Sequence, residues 1–209
     1  MLGALTDLLY PPSCWACGAS LRRQADALCA NCALQPAEDA CRDRPLAFDQ
    51  VVALGRYEGG LRRTIQRAKF EGELGAWTWM GAALAERVAA QPWTAGLDAV
   101  VPVPATWRSR LKRGANPAGL LGKSVASRLG RPMRTWLARS HARPQVGLGR
   151  AERLANAEGA FLTHPSARPS GLRLLLVDDV MTTGATADVC ARALKAAGAL
   201  SVEVAVLAR

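Results

Sequence analysis

No stretch of this 209-residue chain is long and apolar enough to cross a bilayer, which takes about 20 residues. The most apolar window, 77–90, is interrupted by Glu86 and Arg87. The opening segment, MLGALTDLLYPPSC, lacks both the basic start and the long apolar core of a secretory signal. A cytoplasmic location is the expectation. No internal repeat and no low-complexity tail occurs, which excludes a repeat array. Acidic residues are scarce, 17 against 27 basic ones, and the net charge is +10. Lysine is scarce too, because Arg supplies 23 of those 27 cations. Arginine pairs with phosphate in a bidentate fashion, so the composition suits an acidic or nucleic-acid partner. The chain is also rich in Ala and Gly, and Arg usage of that kind follows equally from genome base composition. Half of the residues are hydrophobic, enough for one sizeable core and a small appendage.

The cysteines do not form a disulfide framework. Four of the six fall as Cys14-x-x-Cys17 and Cys29-x-x-Cys32, with eleven residues between the pairs. Two residues between thiolates let both sulfurs of a turn face one centre, and two such turns close a tetrahedral site around Zn²⁺. Gly18 is placed to adopt a left-handed conformation and bring its N–H toward a sulfur, whereas Ala33 stands at the matching place in the second pair. Four thiolates leave no open position, so a zinc held there is structural. A redox dithiol and a disulfide pair are the rival readings. Cys41 is read as free, with a spare-ligand role as the alternative. Cys190 shares a helix face with Val189, Ala193, Leu194 and Ala197 and is read as core.

Along the chain, 1–45 carries the cysteine pairs and little apolar periodicity, and 46–209 reads as a separate domain. Strands are expected at 48–57, 97–103, 172–177 and 200–207, the last alternating Leu200, Val202, Val204 and Val206. Helices are expected at 59–70, where Leu61, Ile65 and Ala68 share a face, and at 74–90, where Trp77, Met80, Leu84 and Val88 recur at helical spacing. Two more are expected at 116–129, with Pro117 in the first turn, and at 186–197, closed by Gly198. Residues 105–115 read as a basic loop and 130–170 as the least regular part. The strand–helix–strand order at the end of the chain favours an α/β fold with a parallel sheet and helices on both faces.

The chemistry concentrates at 174–186, LLLVDDVMTTGAT. Four apolar residues run into Asp178 and Asp179 at the carboxyl end of a strand, where open parallel sheets bind ligands. Val180, Met181, Thr182, Thr183, Gly184 and Ala185 then turn the chain into a helix near Thr186. N–H groups of such a turn lack internal acceptors and carry positive partial charge, so they suit a phosphate. The carboxylates suit two vicinal sugar hydroxyls, or a Mg²⁺ held through water. The plain alternative is a structural turn with Asp and Thr as caps, but adjacent buried carboxylates are costly without a ligand or cation. A second constellation, Val100–Pro104, leads into Trp107, Arg108, Arg110, Lys112 and Arg113. That loop suits a pyrophosphate, or is merely solvated. A third comprises Gln145, Arg153 and Asn156, followed by Gly159, Ala160 and Phe161.

LLLVDDVMTTGAT resembles the phosphoribosyl pyrophosphate signature of type I phosphoribosyltransferases. The paired CxxC, VPVP followed by R-G-x-N, and Q-x₇-R-x-x-N-x₃-A-F resemble the ComF family, in order and over nearly the whole chain. The resemblance implies a zinc-ribbon-like domain on a type I phosphoribosyltransferase-like sheet flanked by helices. It also implies that Asp178 and Asp179 bind ribose hydroxyls, that Val180–Thr186 hold the 5′-phosphate, and that Val103 and Pro104 begin the pyrophosphate loop, with Arg108 and Arg113 as its candidates. The family usually reads R-G-F-N-Q where this chain has Arg113-Gly114-Ala115-Asn116-Pro117, so an aromatic and an amide are missing.

Phosphoribosyl transfer passes through an oxocarbenium-like state, in which the protein positions groups and, with Mg²⁺ and cations, stabilises the departing charge. The ribose-phosphate half of such a site is readable in this chain. A nucleobase pocket and a general acid are not. The resemblance also associates the chain with natural competence, whose single-stranded DNA calls for a cationic groove and stacking aromatics. Arg108, Arg110, Arg113, Trp107 and Trp136 are the candidates. Three roles therefore stand: an enzyme acting on phosphoribosyl pyrophosphate or a nucleotide, a DNA-handling protein that retains the pocket, and a scaffold for other competence proteins.

Overall fold

Leu174, Leu175, Leu176 and Val177 are all buried, and a strand apolar on both faces needs a helical layer on each side. The computed structural model describes residues 12–22, 27–37, 46–105, 116–139 and 161–209. The main sheet comprises β1 (Gln50–Gly55), β2 (Ala99–Pro102), β5 (Arg173–Val180) and β6 (Ser201–Ala208). Its order is β1-β6-β5-β2 and every pairing is parallel. Beyond β2, a parallel bridge joins Val100 to Met133, with Val100 N–H on the Pro132 carbonyl and Arg134 N–H on that of Val100.

Alternate strand residues feed two cores. On one face Val101, Leu174, Leu176, Val202, Val204 and Val206 pack under helix α4 (Ala185–Ala196) through Val189, Cys190 and Leu194. On the other, Val52, Val100, Leu175, Val177, Ala205 and Leu207 pack under α1 (Gly59–Phe70), α2 (Leu74–Ala89) and α3 (Pro117–Leu129). Trp77, Met80, Leu84 and Val88 of α2 are all buried there, as their spacing predicts. Among the described residues no helix is long and apolar enough to cross a membrane.

Several boundaries differ from the sequence reading, each for a local reason. The strand expected at 172–177 runs on to Val180, because β6 is long enough to pair Asp178 with Val206 and Val180 with Ala208. The strand expected from 48 begins at Gln50, since the Asp49 carboxylate turns aside to accept the Val202 N–H at 2.8 Å and Lys195 Nζ at 2.9 Å. Leu200 lies outside β6 and is 60% exposed, so it does not continue the valine stripe. Gly198 closes α4 with φ at 101°, and the next N–H, of Ala199, reaches back to the Leu194 carbonyl. Three elements carried no readable pattern: a 3₁₀ turn at Pro92–Gly96, and two antiparallel three-residue strands, β3 (Leu137–Arg139) and β4 (Phe161–Thr163).

Candidate phosphoribosyl site and cysteine cluster

Strand β5 carries Asp178 and Asp179 to the carboxyl edge of the sheet, and Met181 N–H still bonds the Ala208 carbonyl. The chain then turns at Gly184, whose φ of 75° makes it a left-handed N-cap to α4. That conformation favours glycine, and the space beside it would bring a methyl group into ordinary contact with its neighbours. A Cβ there would sit 3.4 Å from Leu46 Cδ1 and 3.6 Å from Met181 Sδ. The result is a small solvent-open cleft of about 60 Å³ lined by Asp178, residues 180–187 and Val206. Every residue of the expected phosphate loop, from Val180 to Thr186, lines it. The first-turn N–H groups of α4 face outward from the helix end without intrahelical acceptors. Ala185 N–H makes a long contact with Thr183 Oγ1 at 3.4 Å.

The two aspartates differ in surroundings. Burial, then the neighbouring Asp179 charge, pushes the Asp178 carboxyl up to about 7, against the opposing Asp179 N–H, Lys69 and Arg139. That N–H donates to Asp178 Oδ1 at 2.8 Å. Asp179 Oδ2 lies 2.7 Å from Lys69 Nζ, in the last turn of α1. The sequence reading missed Lys69 and Arg139. Both reach the aspartates from elements remote in sequence, and nothing in the local spacing marks either.

At the neighbouring strand end, Val103 N–H bonds the Val177 carbonyl at 2.9 Å. The Val103 carbonyl accepts Asn116 Nδ2 at 3.2 Å, so both ends of the 104–115 excursion are pinned beside Asp178. Pro104 is half-buried at its start. Trp107, Arg108, Arg110, Lys112, Arg113, Gln145, Arg153, Asn156 and Cys41 lie outside the described residues. Phe161 is buried in β4 under the Arg139 guanidinium, 5.1 Å from the ring centroid. Trp136 is half-buried and packs against the α4-side core.

The sulfurs of Cys14, Cys17, Cys29 and Cys32 lie within 4.8 Å of one another, a set that could hold a metal ion. Cys17 Sγ and Cys29 Sγ are 3.7 Å apart. A tetrahedron of Zn–S bonds of about 2.3 Å has edges of about 3.8 Å, so this donor set fits zinc. Gly18 is left-handed as expected, but its N–H bonds the Cys14 carbonyl at 2.8 Å and not a sulfur. Cys29 N–H takes that role, reaching Cys14 Sγ at 3.4 Å. Burial raises the Cys14 thiol, but the N–H groups of Cys29, Ala16 and Cys17 outweigh it and bring the thiol down to about 6. Arg63 Nη2 donates to Cys32 Sγ at 3.1 Å, and Arg67 Nη1 to the Trp15 carbonyl at 3.2 Å, so α1 seats the cluster.

A family model described as the phosphoribosyl transferase domain matches residues 116–209. Competence protein F of Haemophilus influenzae is 30% identical over 208 residues, covering 95% of this chain and 85% of that protein. The chain belongs to the ComF family. The DNA utilization protein YhgH of Salmonella typhimurium is 28% identical over 229 residues, covering 97% of this chain and 99% of that protein. Among solved structures, the glutamine phosphoribosylpyrophosphate amidotransferase of B. subtilis, complexed with ADP and GMP, overlaps 62% of this chain at 21% identity and a TM-score of 0.45. The chain spans a quarter of that enzyme's length, 25%. The fold of this ComF member is a type I phosphoribosyltransferase-like parallel sheet flanked by helices, preceded by a four-cysteine cluster.

Proposed function

We propose that this ComF protein binds a phosphoribosyl ligand, phosphoribosyl pyrophosphate or a nucleotide, at the junction of β5 and α4. The observation that carries the reading is the cleft itself, in which the half-buried Asp178 carboxylate and a glycine-led helix N-terminus face one space. On this reading Asp178 and Asp179 accept the ribose hydroxyls, and residues 180–186 hold the 5′-phosphate. Val103 and Pro104 begin the pyrophosphate loop, with Arg108 and Arg113 further along it. Hard carboxylate oxygens suit Mg²⁺, and Asp178 and Asp179 would hold it through water. Bound there, Mg²⁺ supplies charge neutralisation of a pyrophosphate. A structural zinc on Cys14, Cys17, Cys29 and Cys32 completes the assignment, with 1–45 as the zinc domain and 46–209 as the ligand domain, working in the cytoplasm.

Calorimetry with phosphoribosyl pyrophosphate and Mg²⁺ tests the pocket. Wild type binds and Asp178→Asn plus Asp179→Asn does not; equal binding by both, or none by wild type, overturns the assignment. Release of pyrophosphate with a panel of bases then decides whether the ligand turns over as in a transferase.

The net charge of +10, and relatives named for competence and DNA utilization, support a second use of the same protein in handling imported single-stranded DNA. That use predicts affinity that falls steeply with salt and drops in Arg108→Ala plus Arg113→Ala. Contacts with other competence proteins, read by pull-down, are the third use of the family resemblance.

A further inference from the structure

A sugar phosphate entering the cleft is an anion approaching two carboxylates. Some cation must offset that repulsion. The reading above gives the task to Mg²⁺, yet Lys69, from outside the cleft lining, already pairs with Asp179. Lys69 Nζ lies 2.7 Å from Asp179 Oδ2, with only 15% and 18% of the two side chains exposed. Asp178 turns one oxygen to the Asp179 N–H. Among the described residues, one oxygen of each carboxylate is thus engaged inside the protein.

The lysine is held in place and does not merely drift near. The preceding carbonyl, of Ala68, accepts the buried Trp77 Nε1 at 3.1 Å, which anchors the last turn of α1 to α2. Leu61, Ile65 and Ala68 fix one face of α1 in the core. Arg63 and Arg67 fix another against the cysteine cluster. A lysine that stays flexible loses most of its ion-pair energy to entropy and water; one pinned at its backbone and mostly shielded does not.

We infer that Lys69 is the resident counter-cation of the Asp178–Asp179 pair, so that the cleft accepts a simple ribose 5-phosphate ester without a divalent metal. The inference rests on the proposed ligand site. It keeps that ligand class and divides the cationic work. Lys69 serves the ribose end by holding Asp179 in place, while Mg²⁺ is needed only where a pyrophosphate brings further negative charge. Lys69 acts through Asp179 and is a positioning residue.

Calorimetry with ribose 5-phosphate, in EDTA and in excess Mg²⁺, tests it. Wild type binds in both with affinities within about threefold, whereas Lys69→Gln loses at least about tenfold in EDTA and regains most of it when Mg²⁺ is added. Lys69→Arg, which keeps the charge, stays near wild type in EDTA. Identical losses for Lys69→Gln with and without Mg²⁺ would mean a structural role only and overturn the inference, as would unchanged binding. The wild-type arm decides alone if a variant fails to fold, because a wild type that binds ribose 5-phosphate only with Mg²⁺ already has no resident counter-cation. If wild type binds neither ribose 5-phosphate nor phosphoribosyl pyrophosphate in either condition, the site reading falls and takes the lysine with it. If phosphoribosyl pyrophosphate binds and only the metal independence fails, the site stands and the lysine assignment falls.

Discussion

Arg63 joins the cysteine cluster to the core, with its Nη2 3.1 Å from Cys32 Sγ. A guanidinium against a thiolate strengthens a tetrathiolate site by offsetting its excess negative charge and orienting one ligand. Arg63→Ala is expected to bind one zinc per chain but to yield it to a chromophoric chelator about tenfold faster than wild type. Cys32→Ser should lower the zinc content itself, measured by atomic absorption. Full zinc content in that variant would remove Cys32 from the ligand set.

Asp178 should make the ligand-free protein pH-sensitive. Its carboxyl stands near 7 in the folded chain against 3.8 when exposed, so folding favours the protonated form. Stability is then complete below about pH 4 and is lost as pH rises toward 7. In EDTA, Asp178→Asn is expected to melt with wild type at pH 4 and to be more stable at pH 8, by about 2 kcal/mol after allowing for partial solvent contact. Urea titrations at the two pH values check the sign. A variant less stable at pH 8 would show that Asp178 is well paired when ionised. A site residue that costs stability until its ligand arrives fits a binding role.

Gly184 gives a local test of the phosphate loop. Its φ of 75° strains any residue with a Cβ, although Leu46 and Met181 would meet a methyl group at ordinary contact distance. Gly184→Ala should cost about 1–2 kcal/mol in a urea melt. It should also weaken ribose 5-phosphate binding more than Gly171→Ala, which has a similar φ of 74° but open space around its Cβ. Equal binding in the two variants would separate the turn from the ligand.

Core strand β5 offers a stability reference. Leu176 is fully buried beneath α4, and Leu176→Ala is expected to cost about 3 kcal/mol by chemical denaturation. Because the site lies at the edge of this strand, the folded fraction of the variant should bind ligand as wild type does.

What the sequence made legible was what local order encodes. LLLV followed by two aspartates, Thr, Gly and a helix reads directly as a strand end with a binding turn, and the cysteine pairs read as one cluster. The alternation misled at Leu200, just before β6, because an apolar residue at the start of a pattern does not reveal that its side chain is left in solvent, even though its N–H bonds the Leu172 carbonyl. Strands β3 and β4 were illegible since three residues carry no period, and their neighbourhood is dense in Arg, Pro and Gly. Lys69 was illegible for a different reason. It sits beside the apolar stripe of a basic helix like any solvated cation, and only the packing of α1 brings it to Asp179.

Helix α1 touches a sulfur through Arg63 and the Asp179 carboxylate through Lys69, within twelve residues. One rigid rod therefore serves two chemistries that respond to different insults. A change at the cysteine cluster is therefore about two turns of helix away from the Lys69–Asp179 pair, with no part of the sheet between.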